Sequence, residues 1–342
     1  MQYLPLGNTG LYVSRICLGT MTFAEPDQGM GLIGATGQEL ADRMVGTAMD
    51  AGVNFFDTAN GYSFGGSERM LGRALGKRRN DAVIATKVYF PLTRGVNAAG
   101  TSRLSIMREV DKSLERLGTD WIDLYQVHGW DQTTPLEETL RALDDCVRQG
   151  KVRYIGLSNF AAWQIARADG LARLIGTERF CSAQVYYSLA ARELEWEILP
   201  AVRELGLGTM IWSPLAAGYL AGKYTGDASG EGRRQQFDFP PVDPVLADAV
   251  VGVLREIGAA HDVSPARVAL SWLLHQEGVT SVIVGARKQE QLEDNLGAME
   301  LELGDDELRR LNEVSARSPV YPHWMPHPVR DMDPADLLPE LS

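Results

Sequence analysis

The sequence predicts an α/β protein whose strands close into a (β/α)8 TIM barrel, preceded by a small β-hairpin and followed by a long C-terminal loop. Three observations lead there. Short β-branched or apolar runs recur eight times, longer stretches with helical spacing alternate with them, and no Ser/Gly/Pro-rich linker divides the 342 residues. Alternating β and α implies a parallel sheet, and eight such units in roughly 250 residues or more fit a closed barrel. Residues 1–342 are therefore expected to form a single domain. An open doubly wound sheet with a second domain is the alternative.

Taken in order, residues 1–14 read as a hairpin cap. Tyr3, Leu4 and Leu6 lead into Gly7-Asn8-Thr9-Gly10, and Leu11 and Val13 follow. Strand-like runs lie at 16–19, 54–57, 83–87, 123–128, 154–157, 183–187, 209–212 and 281–284. Helical spacing marks 39–50, 67–75, 102–116, 136–148 and 197–205 between them. Helices at 244–260 and 265–275 precede the last strand, and others at 289–296 and 305–315 follow it. Ser264-Pro265 joins a capping hydroxyl to a proline at the first helical position. Gly52, Gly118, Gly150 and Gly206 stand where helices should stop. Residues 216–243 hold Gly, Asp, Arg and Pro and read as a long loop on a barrel face. The tail, 318–342, contains Pro319, Pro322, Pro326 and Pro328, which forbid a regular helix and leave it extended.

Composition narrows the function. The net charge of −12 repels phosphate backbones and argues against a nucleic-acid partner, while leaving room for a local basic site. Cys17, Cys146 and Cys181 show no C-x-x-C spacing and read as buried thiols of a reducing cytoplasm. The first residues have no signal-peptide pattern, and no apolar run approaches the ~20 residues of a membrane span. His323 and His327 are four apart, but Pro322, Pro326 and Pro328 rule out the helix that would align them, so no metal site is expected.

One motif is a decoy. Gly29-Met30-Gly31-Leu32-Ile33-Gly34 matches G-x-G-x-x-G, and Asp57 follows 23 residues after Gly34. The dinucleotide fingerprint needs a strand running into its first glycine and a helix opening at its last. Here Glu25-Pro26-Asp27-Gln28 precede it and Ala35-Thr36-Gly37 follow, so it reads as a loop.

The chemistry lies at the carboxyl ends of successive strands. Asp57 ends the second, Lys87 the third and His128 the fourth, with Tyr62 in the loop after Asp57. In a parallel barrel these ends share the face on which active sites are built. The set suits protonation of a carbonyl oxygen. Free tyrosine has a pKa of about 10, and an ammonium at ~4 Å with an effective dielectric of ~20 favours the phenolate by about 4 kcal/mol, or roughly three pKa units at most. Asp57 would hold Lys87 charged, and His128 would donate a hydrogen bond to the carbonyl oxygen.

Asp57-Thr58-Ala59-x-x-Tyr62 and Gly66-Ser67-Glu68-x-x-Leu71-Gly72 resemble the first signature of the aldo-keto reductase family. Ala85-Thr86-Lys87, Leu124-Tyr125-Gln126-Val127-His128 and Ile155-Gly156-Leu157-Ser158-Asn159-Phe160 are similar to its later landmarks, in order. The resemblance covers about residues 1–325 and implies a barrel that binds NADPH without a Rossmann domain. It implies that Tyr62 is the general acid, tuned by Lys87 and Asp57, with His128 orienting the carbonyl. Ser158, Asn159 and Gln184 would bind the nicotinamide carboxamide, and Trp212 would stack on its ring where tyrosine is commoner in the family. Gly19 and Thr20 would border the cofactor. Ser213, Leu215 and Gly218 would approach the pyrophosphate. Gly285, Arg287, Gln291 and Asn295 resemble the adenosine end, where Arg287, with Lys288, would pair with the 2′-phosphate.

A small aldehyde, ketone or sugar carbonyl is the expected substrate, with Phe23, Tyr89 and Trp130, joined by Phe90, walling its pocket and Tyr321 and Trp324 added if the tail folds over. Two other readings stand beside the reductase. Potassium-channel β subunits share the fold and the tetrad, and slow or absent turnover with intact cofactor binding would mark that reading. A two-domain Rossmann dehydrogenase would need the decoy to be real and would yield two stable halves on limited proteolysis. Oligomeric state is left open.

Overall fold

Two antiparallel strands, β1 (Tyr3–Pro5) and β2 (Tyr12–Ser14), open the computed structural model, paired Tyr3 to Ser14 and Leu4 to Val13. The structure describes residues 1–25, 36–224, 234 and 238–325. The glycine motif at 29–34 and His327 lie outside these, as do 225–233 and 235–237 of the loop expected at 216–243. The hairpin closes the bottom of a barrel of eight strands: β3 (Ile16–Gly19), β4 (Phe55–Asp57), β5 (Val83–Val88), β6 (Ile122–Val127), β7 (Val152–Ser158), β8 (Ser182–Tyr186), β9 (Gly208–Trp212) and β10 (Ser281–Val284). Each pairs in parallel with its sequence neighbour, and β10 returns to β3 through Val282 with Ile16 and Val284 with Leu18, which closes the ring.

Helices cover the outside. They are α1 (Gln38–Asp50), α2 (Gly66–Leu75), α3 (Arg103–Leu117), α4 (Leu136–Arg148), α5 (Ala162–Ile175), α6 (Ile198–Leu205), α7 (Pro244–His261), α8 (Pro265–His275), α9 (Gln289–Leu296) and α10 (Asp305–Val314). Their ends follow the sequence chemistry. Ser264 accepts from the Arg267 amide ahead of Pro265, and Gly118 and Gly206 adopt the left-handed conformation after α3 and α6. Helix α5 does not stand out in the sequence because its apolar residues spread around the axis. It buries Ile165, Ala168 and Ala172 while leaving Trp163 and Leu174 exposed. No described helix is long and apolar enough to cross a membrane.

Period-two alternation along each strand makes two cores. Outward residues such as Leu18, Phe56, Ile84, Val127, Leu157 and Val282 pack under the helices. Inward residues Cys17, Phe55, Ala85, Leu124, Met210 and Ile283 fill the barrel and meet Leu6 and Val13 of the hairpin. The three cysteines are buried and unpaired. The same alternation directs Asp57, two residues above Phe55, and Lys87, two above Ala85, into the barrel at its carboxyl end. Ala216–Ala221 form a short 3-10 turn, the rest of the long loop is described at 222–224, 234 and 238–243, and residues 316–320 of the tail have no regular structure.

Gly72 marks the closest helix contact near the site. A Cβ there would lie 2.2 Å from the Leu117 carbonyl oxygen, a backbone atom that cannot turn away. Alanine normally favours a helix interior by roughly 0.5–1 kcal/mol over glycine. In Gly72→Ala the clash should reverse that sign and destabilise the protein by about 1–3 kcal/mol. Denaturant unfolding checks this, and a variant as stable as wild type would show that α2 shifts freely against α3.

Candidate active site

Strand β4 delivers Asp57, and the chain then turns through Thr58-Ala59-Asn60-Gly61 to Tyr62. This turn is tied down on both sides. The Thr58 amide donates to Ala85 O at 2.8 Å and the Asn60 amide to Lys87 O at 3.2 Å, so the turn rides on β5. Ser67 Oγ lies 2.9 Å from Thr58 Oγ1 and 2.7 Å from Thr20 Oγ1, and donates to Thr20 O at 2.7 Å. Just past Tyr62, Ser63 and Phe64 hold left-handed backbone angles, φ 49° and 51°, which cost energy in residues with a Cβ. A buried ion pair braces the start of the following helix: Glu68 Oε2 accepts from Arg116 Nε at 2.5 Å and Oε1 from Thr86 Oγ1 at 2.6 Å. Glu68 thereby joins α2 to α3 and to β5.

Lys87 is fully buried, and its three protons are accounted for. Nζ donates to Asp57 Oδ1 at 2.6 Å, to Thr58 O at 2.8 Å and to the Tyr62 hydroxyl at 3.3 Å. Burial alone would lower its pKa. The Asp57 charge and the Tyr62 hydroxyl outweigh burial and hold it above its ordinary 10.5, so the side chain is an ammonium. Because the Tyr62 oxygen accepts from Lys87, its own proton is directed to a different acceptor. The His128 ring stands 5.7 Å from the Tyr62 ring, edge-on. Burial and, after it, the Lys87 charge push His128 well below 6.5, so it is neutral near pH 7 and carries one N–H. Asp57, Lys87 and His128, expected from three strand ends, and Tyr62, expected from the loop after the first of them, thus share one polar cluster.

The other expected residues surround it. Asn159, with φ 59°, donates to His128 O at 3.0 Å and accepts from the Trp212 indole at 3.0 Å. Ser158 Oγ donates to Gln184 O at 3.0 Å. Gln184 Nε2 donates to Asp57 Oδ2 at 2.7 Å, a link between the expected cofactor residues and the tetrad that the sequence does not announce. Trp212 stacks on Tyr186, centroids 4.8 Å apart, and lies parallel to Phe239 at 5.8 Å. Ser213, Ala216, Ala217 and Gly218 all have positive φ, which makes the turn after β9 an unusually strained one. Thr20 Oγ1 donates to Asp57 O at 3.1 Å, and Gly19 packs so closely on β10 that a Cβ would meet Ile283 Cγ2 at 2.7 Å.

Gly285 is exposed on the loop after β10, Gln291 folds back to accept the Arg287 amide at 3.0 Å, and Asn295 is buried. Arg287 and Lys288 are exposed, and the Lys223 pKa is lowered by partial burial and by these two like charges. Lys223 does not stand out in the sequence, because it lies in the long loop, far from Arg287 along the chain. Three cations thus act on one another in a chain of net charge −12.

Among the aromatic residues expected to wall a pocket, Phe90 is half exposed with its ring 4.9 Å from His128, and Tyr89 packs on it at 5.3 Å. Trp130 contacts Phe160 and Trp163. Its loop is held by Asp131, which accepts from Thr101, Thr133 and Thr134. Although burial favours the neutral acid, these bonds keep the carboxyl well below its ordinary value. Phe23 is instead enclosed in the core, 1% exposed. Tyr321 and Trp324 are exposed on the tail, which His323 ties to Glu197 at 2.8 Å.

Comparison with known proteins matches residues 15–316 to the Aldo/keto reductase family. The uncharacterized oxidoreductase YrpG of Bacillus subtilis is 39% identical over 325 residues, covering 92% of this chain and 96% of that protein. The versiconal hemiacetal acetate reductase of Aspergillus parasiticus is 34% identical over 349 residues, covering 94% and 99%. A probable voltage-gated potassium channel subunit beta of Oryza sativa is 35% identical over 317 residues, covering 88% and 92%. By its barrel, its strand-end polar cluster and these matches, the chain belongs to the aldo/keto reductase family of oxidoreductases.

Proposed function

We propose that the protein reduces small aldehydes or ketones to alcohols with NADPH, and that Tyr62 donates the proton. The observation that carries this reading is the saturation of Lys87. An ammonium with all its protons committed to Asp57, Thr58 and Tyr62 acts on the phenol as a fixed positive charge. When bound, NADPH supplies the hydride that goes to the carbonyl carbon. The phenol proton goes to the carbonyl oxygen, and the neutral His128 N–H holds that oxygen as it gains negative charge. The O–H bond of Tyr62 breaks as the alcohol O–H forms, and Lys87 stabilises the phenolate left behind. Tyr89, Phe90 and Trp130 offer apolar walls suited to an aromatic or other ring-bearing carbonyl. Buried, unpaired cysteines suit a reducing cytoplasm.

The residues fit a cofactor with an additional phosphate. Lys223, Arg287 and Lys288 concentrate positive charge beyond what a hydroxyl needs, and the guanidinium of Arg287 suits bidentate phosphate binding. In Arg287→Ala, NADPH should bind about 10–100-fold more weakly, with NADH little changed. Fluorescence titration with both nucleotides checks this, and equal weakening would remove Arg287 from the phosphate site.

The experiment that tests the activity follows loss of nicotinamide absorbance in purified protein given NADPH and a reactive aromatic aldehyde. Turnover supports the reductase. Tight NADPH binding with no turnover on a panel of aldehydes and ketones favours the second reading, a nicotinamide-binding channel-associated subunit, for which the 35% identity to a potassium-channel β subunit is the supporting observation.

A further inference from the structure

We propose that Gln126 is a positioning residue for the Tyr62 proton: with Gln184 it clamps the Asp57 oxygen that Lys87 does not use, and so holds the Asp57–Lys87 pair on the phenol. Gln126 is fully buried on β6, directed inward two residues above Leu124. Its Nε2 donates to Asp57 Oδ2 at 3.3 Å, and its Oε1 accepts from Gln184 Nε2 at 3.5 Å. Gln184 Nε2 also reaches Asp57 Oδ2, at 2.7 Å. The carboxylate is thus held on both oxygens, by the ammonium on one and by two amides on the other.

Packing alone does not call for an amide here. The barrel layer below is Phe55, Ala85, Leu124 and Met210, and an apolar side chain on β6 would fill the same space with no polar group to satisfy. Room for the amide is provided by its neighbour in register on β7, Gly156. A Cβ at Gly156 would stand 3.0 Å from Gln126 Cγ and 2.6 Å from Ser182 Oγ. Gln126 also pairs in register with Lys87 on its other side, so it sits between the glycine that admits it and the ammonium it supports.

The electrostatic consequence has a sign. The titratable groups around the clamp are Cys17 from β3, Asp57 from β4, Tyr62 after β4, Lys87 from β5 and His128 after β6. Two amide N–H ends aimed at Asp57 offset part of its negative potential at Tyr62, so the Lys87 ammonium acts on the phenol with less opposition. Removing one amide raises the Tyr62 pKa, through lost positive potential and through a less well fixed Lys87.

The proposal rests on the reductase reading, because there the Tyr62 proton has its use, but its test does not require turnover. Ultraviolet titration of tyrosinate, wild type minus Tyr62→Phe, isolates this phenol among the 11 tyrosines. In Gln126→Met it should ionise higher, by on the order of half to one pH unit. The high-pH limb of kcat for aldehyde reduction should move up equally, with kcat about tenfold lower and KM unchanged. Gln126→Glu conserves shape and serves if the methionine variant fails to fold. It adds a carboxyl beside Asp57 and should move the titration the same way. An unmoved Tyr62 titration in the folded variants overturns the proposal. A moved titration in a protein that reduces no carbonyl upholds the clamp and overturns the reductase reading alone.

Discussion

Tyr62→Phe is expected to lower kcat for carbonyl reduction by about 10²–10⁴-fold, the usual contribution of a positioned proton donor. NADPH binding should survive, because the hydroxyl is directed into the polar cluster and the cations that would hold the phosphates lie on the loops after β9 and β10. The loss should appear in kcat and kcat/KM together, since a proton delivered only in the transition state leaves ground-state binding intact. Single-turnover measurements with saturating NADPH separate chemistry from product release. If the variant reduces aldehydes at the wild-type rate, another group or a water delivers the proton and the role given to Tyr62 is wrong.

Lys87→Met should combine a large loss of stability with a large loss of activity. The Lys87 and Asp57 side chains are 0% and 3% exposed, so the substitution strands a carboxylate in the barrel, left to the amides of Gln126 and Gln184. Breaking one side of a buried ion pair costs about 3–5 kcal/mol. The pH dependence follows from the direction of the Lys87 shift. A folded-state pKa raised above the unfolded value of about 10.4 contributes stability that is fully present below that value. It is lost as pH rises through the folded-state value. The stability gap between wild type and variant should therefore be full at neutral pH and narrow in strong alkali, where the wild-type ammonium also loses its proton. Urea unfolding at several pH values measures the gap, and a variant as stable as wild type near pH 7 would show that the pair does not contribute to stability.

Much of the barrel is legible in the sequence because strand and helix periods alternate without interruption. The runs at 16–19 and 281–284 coincide with β3 and β10, and 136–148, 265–275 and 289–296 with α4, α8 and α9. Other boundaries differ by one or two residues, as at Asn54 and His128, which border β4 and β6 and still bond to β5 through their backbone. Helix α5 escapes notice because a stripe is invisible when Trp163 and Leu174 are apolar yet exposed. The strand-end logic brings Asp57, Lys87 and His128 to one face because a parallel barrel allows no other arrangement. Lateral contacts are less legible. Gln126 reads as an ordinary strand residue until Gly156 is seen beside it, and Lys223 as loop charge until the influence of the Arg287 charge on it is seen. Phe23 illustrates the reverse case, an aromatic residue on a loop after a barrel strand that turns into the core.

The seam between β3 and β10 bears on how the protein comes to exist. Its first barrel strand has one neighbour encoded early, at residues 55–57, and the other only at 281–284. During synthesis the growing sheet has two unpaired edges until nearly the whole barrel sequence has been translated. Those edges are a template for pairing with other chains, and closing a loop of this length is slow. Heterologous expression should therefore be most sensitive to conditions that act before ring closure, such as translation rate, temperature and chaperone supply.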